Sequence, residues 1–513
     1  MNEATNIPNY LTDLDYTTLY FPEQSPVVMN YQARLQGWEM ADITEPFTYL
    51  DMGCGNGLTC NVLAASLPNG LFYGNDFNPA HIEKARDIAR RGQLNNVTFL
   101  EASFAELCDA DLPQFDYITL HGIYSWVSPD VQNDILRTLK TLLKPSGIVY
   151  LSYNTLPGWG PLMAIRETMR TLTRNHPGGP LERAAEGVRI LQMFDKNNST
   201  LIRSSTKLAN EIRGLSKQNL RYLAHEFLNE TWQPMFFNEV ADQMAATGLE
   251  YMGAAGLRAY AADVKTLANF EAFLETRSSH QEQEAAKSLI LNERFRRDLY
   301  LNKRDSSIRQ TPIEALSSTV IGNARTHRLN KQVSTQGLST EGQPLIEMIF
   351  EGEHSIRQVL SDSSLKEWSP ETLLAGIDHL IKEGWMRPFA CPAKSSTTRA
   401  DDKFKLTSPF NRMVLDDFTL SSTGCWLASP VTGDGIHLDL ISRLYLLGTL
   451  EGVPDKEQDF VRQWLKQNPA TPKDSIAVPP EGEKRRIYLQ KKFKIYTEKL
   501  QPVLLRLGIL EIV

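Results

Sequence analysis

The 513 residues, 42% of them hydrophobic, allow about two to four globular domains and exclude a disordered chain. A formal net charge of −7 gives no general attraction to nucleic acid or to an anionic membrane. The five cysteines (Cys54, Cys60, Cys108, Cys391 and Cys425) are odd in number and scattered without a CxxC pair. They argue against a disulfide framework and a metal site.

In chain order, the N-terminus is polar and acidic, without the basic and apolar regions of a secretion signal. No apolar run approaches the roughly 18 residues of a membrane span, and the expected location is cytoplasmic. Phe47–Met52 is an apolar strand ending in a glycine-rich turn, and Leu58–Leu67 has helical character. Gly70–Asn75 is a second strand. Asn78 and Pro79 are an N-cap and a first helical residue. The helix that follows carries Ile82, Ala85, Ile88 and Ala89 on one face and stops near Gly92. Val97–Glu101 and Phe115–Leu120 are further strands. Ser128-Pro129 opens a helix with Val131, Ile135, Leu139 and Leu142 as its apolar stripe, and Lys144–Gly147 reads as a turn before a strand over 148–153. This alternation predicts an α/β fold: a parallel, Rossmann-like sheet with helices on both faces, its ligand beyond the carboxyl ends of the strands.

The motif at that position is Asp51-Met52-Gly53-Cys54-Gly55-Asn56-Gly57. Its glycines permit close backbone approach and positive φ. Leu58 stands where the dinucleotide fingerprint needs glycine, which disfavours a pyrophosphate clamp. Asp51 suits a ligand bearing an ammonium group, and Asp76, at the end of the second strand, suits ribose hydroxyls. Both features fit S-adenosylmethionine, which leaves as S-adenosylhomocysteine. Phe77 adjoins Asp76, and Ser103 and Phe104 lie where an adenine would rest. At the ends of the fourth and fifth strands, His121, Tyr124, Trp126, Tyr153 and Asn154 are the candidate catalytic residues, His121 also touching the cofactor. The aromatic groups would desolvate an amine and stabilise a methylated cation. His121 could orient the cofactor or relay a proton, and Asn154 could hold the acceptor.

The segments His121–Val127 and Ser152–Trp159 resemble the signatures of bacterial class I methyltransferases that carry a methyltransferase regulatory domain, a group that includes rickettsial protein-lysine methyltransferases acting on an outer-membrane protein. Tyr222–Leu228, Pro234–Phe237 and Asn292–Arg297 resemble landmarks of that regulatory domain. The resemblance covers about residues 10–305. It implies methyl transfer from S-adenosylmethionine to protein lysine, and an N-terminal segment around Tyr20 folded over the cofactor.

Residues 160–232 are helix-rich and amphipathic. The helix Asn238–Thr247 and the strand Leu249–Met252 are expected to return to the first sheet, making 160–232 an inserted cap. A polar stretch from Lys303 to Gln343 marks a boundary. Beyond it, Pro344–Phe350, a helix begun by Ser369-Pro370 and the strand Trp385–Phe389 form a winged-helix-like unit without a basic recognition face, so nucleic acid is not an expected partner. Ser395–Asp402 reads as a linker, Leu438–Leu450 as a buried helix, and Lys484–Lys494 as a basic solvated helix face. The expected domains are 1–160 (cofactor-binding core), 161–305 (helical regulatory region, with 236–260 joining the core sheet), 306–410 (winged-helix-like) and 411–513 (α-rich). The leading expectation is a protein-lysine N-methyltransferase, monomeric or homodimeric, with a protein substrate such as a surface protein and no membrane insertion. A small-molecule or glycan methyltransferase with a helical lid, and a cofactor-binding regulatory module without transfer activity, are the alternatives.

Overall fold

The computed structural model describes residues 19–256, 261–303, 309–324, 345, 347–348, 352–393, 402–421, 424–452, 457–468, 478–479 and 481–513. Tyr16–Thr18, most of the polar stretch after Lys303, most of Pro344–Phe350 and nearly all of the 395–402 linker lie outside the described residues.

Helix α1 (Pro26–Leu35) starts at a Ser25 side-chain cap followed by proline. There follow β1 (Phe47–Met52), α2 (Leu58–Ser66), β2 (Gly70–Asp76), α3 (Pro79–Arg91), β3 (Val97–Glu101), α4 (Phe104–Asp109), β4 (Phe115–Leu120), α5 (Pro129–Leu142) and β5 (Leu143–Asn154). These five strands pair in parallel. Successive side chains of a strand alternate between faces. Tyr49, Phe72 and Phe99 accordingly pack under α1, α2 and α3, while Leu50, Ile118 and Leu151 pack against α4 and α5. Both faces are covered, which is why the central strands read as nearly continuous apolar runs.

Helix α3 ends at Arg91 with Gly92 as its C-cap, where expected; Gly92 has a φ of −76°, and the positive φ falls on Gln93 at 56°. One local expectation is corrected. The turn expected at Lys144–Gly147 is a bulge inside β5: Phe115 pairs with Leu143 and Tyr117 with Ile148. The buried Asn302 amide supports it by donating to the carbonyls of Leu143 and Lys144, 3.1 Å each.

After β5 come α6 (Gly160–Thr173), α7 (Pro180–Lys196), α8 (Thr200–Arg203), α9 (Thr206–Leu215) and α10 (Leu220–Leu228), then α11 (Phe237–Ala246) and β6 (Leu249–Ala254). The inserted helices share a core of their own around Trp159, Ile165, Leu191, Ile212 and Phe227. The sheet is closed by β7 (Phe295–Asn302), giving seven strands in the order β3-β2-β1-β4-β5-β7-β6, with β7 antiparallel to both neighbours. Thus β6 joins the sheet through β7, a strand that the sequence reading did not anticipate. Its Phe295-Arg296-Arg297-Asp298 start looks like surface. In fact Arg296 and Asp298 are 4% and 0% exposed and neutralise one another at 2.9 Å.

The C-terminal half adds β8 (Val320–Gly322), β9 (His354–Ser355) and β10 (Arg387–Phe389), a sheet ordered β10-β8-β9. It is packed with the helix Pro370–Lys382, whose Leu373, Leu374, Ile377, Leu380 and Ile381 are buried. Strand β11 (Phe404–Leu406) precedes the hairpin β12 (Gly424–Ser429)–β13 (Asp434–Asp439) and pairs with the terminal β14 (Leu510–Ile512). The predicted buried helix begins at Leu440; Leu438 belongs to β13. The hairpin lies on α2, where Leu427 and Ile436 share one core with Leu58 and Val62. No helix among the described residues is long and apolar enough to cross a membrane.

Candidate active site

At the carboxyl ends of β1 and β2, the chain leaves the sheet through the glycine loop. The amides of Gly53 and Cys54 both donate to the Asn75 carbonyl, at 2.9 and 2.8 Å. Gly53, Gly55 and Gly57 have φ of 74°, 54° and 69°, a region costly for residues with a Cβ. Gly57 is also required for packing, because a Cβ there would lie 2.5 Å from that of Ala85, whereas one on Gly55 or Gly122 would meet no atom of the described residues within 4 Å. Among the described residues, the backbone at Gly55 and Gly122 is open to a ligand.

Asp76 ties this loop to α3. Its carboxylate accepts the Gly55 amide at 3.0 Å and the Asn78 amide at 2.9 Å, and its Oδ1 is 3.3 Å from His81 Nδ1. Asp51 lies beneath the loop, 3% exposed, accepting a hydrogen bond from Thr119 at 3.1 Å. Burial pushes its carboxyl up to about 7. His121 stacks on Phe21 with ring centroids 3.5 Å apart and shares a 2.8 Å hydrogen bond with Tyr150. Burial, helped by the Arg297 charge, lowers its imidazole to about 3, so it is neutral at physiological pH. So weak a base fits orientation and is a poor acceptor for an amine proton.

These groups line a cavity of about 500 Å³. Of the sequence-predicted residues it brings together Gly53, Gly55, Gly57, Asp76, His121, Trp126 and Asn154. Asn154 is 5% exposed, and its amide nitrogen has no partner among the described residues. The others are elsewhere. Tyr124 is fully buried and donates to Gln243 at 2.8 Å. Tyr153 donates to Asp298 at 2.7 Å; it must point away from Asn154, because adjacent strand residues face opposite sides. Tyr20 is 5% exposed and its hydroxyl bonds Asp434 of the C-terminal hairpin, while its neighbours Leu19 and Phe21 line the cavity. The Ser103 hydroxyl is engaged in a capping box with Glu106 at 2.7 Å. Phe104 packs against the core below the loop. Asp51, Phe77, Ser103 and Phe104 are all outside the lining.

The lining residues that the site reading missed include a group from the insert. Glu211, His225, Glu226 and Phe227 line the cavity together with Trp126 and Trp159, which we call its far wall. His225 packs at 4.8 Å from Trp126 and Phe227 at 6.0 Å from Trp159. The available signal was the pair His225-Glu226 on an otherwise apolar-faced helix, whose Leu223, Ala224, Phe227 and Leu228 are buried. Burial lowers His225 to about 4 and pushes Glu226 up to about 7. Among the described residues no cluster of metal-ligating side chains occurs.

Residues 43–236 match the family model described as a methyltransferase domain, and residues 219–302 match the predicted methyltransferase regulatory domain. The chain is 30% identical over 251 residues to the uncharacterized protein RP028 of Rickettsia prowazekii, covering 47% of this chain and 96% of that one. This is an S-adenosylmethionine-dependent methyltransferase with a methyltransferase regulatory domain. The enzyme is also 29% identical to the uncharacterized protein sll1526 of Synechocystis over 98% of this chain and 99% of that one. Its fold matches PKMT2 of Rickettsia typhi in complex with AdoHcy, with a TM-score of 0.69 at 21% identity over 96% of this chain and 99% of that one. The methyl donor is S-adenosylmethionine. The open backbone at Gly55 and Gly122, beside the Asp76 carboxylate, fits that group.

Proposed function

We propose that the enzyme methylates the ε-amine of lysine in a protein. The observation that carries this reading is the far wall of the cavity. The aromatic residues Trp126, Trp159 and Phe227 and the acidic residues Glu211 and Glu226 line the same cavity as the glycine loop. Rings strip water from an alkyl amine and favour its methylated cation, and carboxylates favour the ammonium form on entry. The sequence resemblance to protein-lysine methyltransferases and the full-length fold match support the same acceptor class.

S-adenosylmethionine supplies an electrophilic methyl group on a sulfonium sulfur. In this reading Gly53 and Gly55 bring backbone against the amino-acid end of the donor, over the negative charge of Asp51. Asp76 accepts from its ribose hydroxyls with lone pairs not used by Gly55 and Asn78, since a carboxylate offers about four acceptor sites. Phe21 and His121, stacked on one another, hold one wall fixed. Asn154 offers its unpaired amide to the donor or the acceptor backbone. Alignment of amine and methyl, rather than strong acid or base assistance, supplies most of the rate. The small sheet β8–β10 with its helices reads as a winged-helix-like unit for protein contact.

A cavity of about 500 Å³ lined in part by the helical insert also suits a small acceptor under a helical lid, the second reading. Tritium transfer from labelled S-adenosylmethionine into host lysate, wild type beside Asp76→Ala, separates them. Label in discrete protein bands that yield methyl-lysine on hydrolysis, absent with the variant, is the expected result. Label confined to the small-molecule fraction would select the lid reading instead.

A further inference from the structure

We infer that Glu226, on the inserted helix α10, is the catalytic base that takes the proton from the acceptor ammonium. This deepens the lysine reading above and rests on it. A lysine amine with a pKa of about 10.4 is almost wholly protonated at neutral pH, and only its neutral form has the lone pair that transfer requires. The core domain offers poor bases. His121 is too weakly basic, Asp76 is engaged by two backbone amides, Asp51 is outside the cavity lining, and Tyr124 and Tyr153 point away from it. The insert contributes Glu226 to the same cavity, whose lining also includes Trp126, Trp159, His225 and Phe227.

The charge shown to act on it is Arg166 of α6; the other charged and titratable groups lining the cavity are Glu211 of α9, Arg294 before β7, Tyr222 and His225 of its own helix, and His121, His81 and Asp76 of the core. Arg294 is paired with Glu211. Arg166 is tied to the Asn229 carbonyl and lies 4.8 Å over the Trp232 ring. Its charge pulls the Glu226 carboxyl down, but burial outweighs it and holds the group near 7. A carboxylate so placed is a stronger base than an exposed one and is still ionised at slightly alkaline pH.

The ammonium gives one proton to the Glu226 carboxylate, leaving a neutral amine. The amine lone pair forms the N–C bond as the donor's C–S bond breaks, its electron pair remaining on sulfur as a thioether. The product is a methylammonium, and Glu226 releases its proton to solvent, one per turnover.

The test compares wild type with Glu226→Gln, which keeps shape and removes basicity. Calorimetry with S-adenosylhomocysteine checks that the variant folds and binds with affinity within about threefold; Glu226→Asp serves if the glutamine variant does not fold. Methyl-lysine formation on host-lysate protein is then followed from pH 6 to 10. The expected result is a loss of about a hundredfold at pH 7, shrinking steadily as the pH approaches that of free lysine. Infrared difference spectra, wild type minus variant, are expected to lose a protonated-carboxyl band with a midpoint near 7; this arm needs neither acceptor nor transfer. Equal rates with the same pH profile, or a carboxyl that titrates in the ordinary range, would overturn the role of Glu226 while leaving lysine methylation standing. Label found on a non-amine acceptor would remove both.

Discussion

Asp51 is a carboxylate buried where its charge is poorly solvated. Thr119 supplies one hydrogen bond, and burial together with the nearby Asp76 raises its pKa to about 7. The folded protein thus holds a proton there that the unfolded chain, near 3.8, gives up. Stability is lost as pH rises from about 4 to about 7, and the loss is complete above that. An anion kept under the glycine loop at this expense makes sense if a cationic ligand repays it. Asp51→Asn is therefore expected to stabilise the ligand-free enzyme at pH 8 by about 2–4 kcal/mol and to change it little at pH 4. Its affinity for S-adenosylmethionine should fall about tenfold or more. Thermal unfolding at the two pH values and calorimetry check both. An unchanged melting temperature at pH 8 would mean that Asp51 is solvated as an ordinary carboxylate. At this scale the sequence was informative about location wherever that follows from backbone position: Gly53, Gly55 and Asp76 line the cavity. It was uninformative about side-chain direction. Tyr153 and Asn154 were both placed in the site, yet strand alternation admits only one, and Tyr20 was assigned to a ligand when its hydroxyl serves Asp434.

Among the elements, β7 was the hardest to read. Its opening charges look like a surface segment, because a sequence cannot display a partner that is distant in the chain. Asp298, 0% exposed, accepts from Arg296 and from Tyr153 of β5. Arg296 also donates to Tyr251 of β6 and to Glu284 of the helix His280–Leu291. The region matching the regulatory-domain model, 219–302, therefore supplies two strands of the catalytic sheet as well as the helix bearing Glu226. The regular β1–β5 alternation, by contrast, was legible because each strand is a short apolar run bounded by capped helices. Asp298→Ala would leave Arg296 buried beside an empty partner position, costing about 3–5 kcal/mol. A lowered urea midpoint, with weakened pairing of β5 to β7 in amide exchange, is the expected signature. A shift under about 1 kcal/mol would mean that Glu284 and Glu293 suffice to neutralise Arg296.

For the molecule as a whole, the C-terminal half is built onto the cofactor domain rather than tethered to it. Gly433 packs against Val27 and Leu67 so closely that a Cβ would come within 2.6 Å, and its carbonyl accepts from Ser25 at 2.9 Å. Asp434, 2% exposed, joins three remote segments: it accepts from Tyr20, pairs with Arg387 at 2.7 Å and lies in the hairpin on α2. Tyr20 separates Leu19 from Phe21, and both of those line the cavity. The hairpin thus fixes the strip of chain that presents Phe21 to His121. Composition could not reveal this, because Tyr20 and Asp434 are separated by almost the whole sequence. Asp434→Ala strips Arg387 of its counter-charge and Tyr20 of its acceptor, so it should destabilise the fold by about 3–5 kcal/mol and weaken S-adenosylhomocysteine binding with it. Tyr20→Phe removes only the hydroxyl, at about 1–2 kcal/mol, and keeps the ring against Trp426. If Phe21 is held by the clamp, both variants lose affinity in the order of their loss of stability. If Asp434→Ala melts early yet binds S-adenosylhomocysteine as tightly as wild type below its melting temperature, the hairpin supports the fold without positioning the cofactor wall.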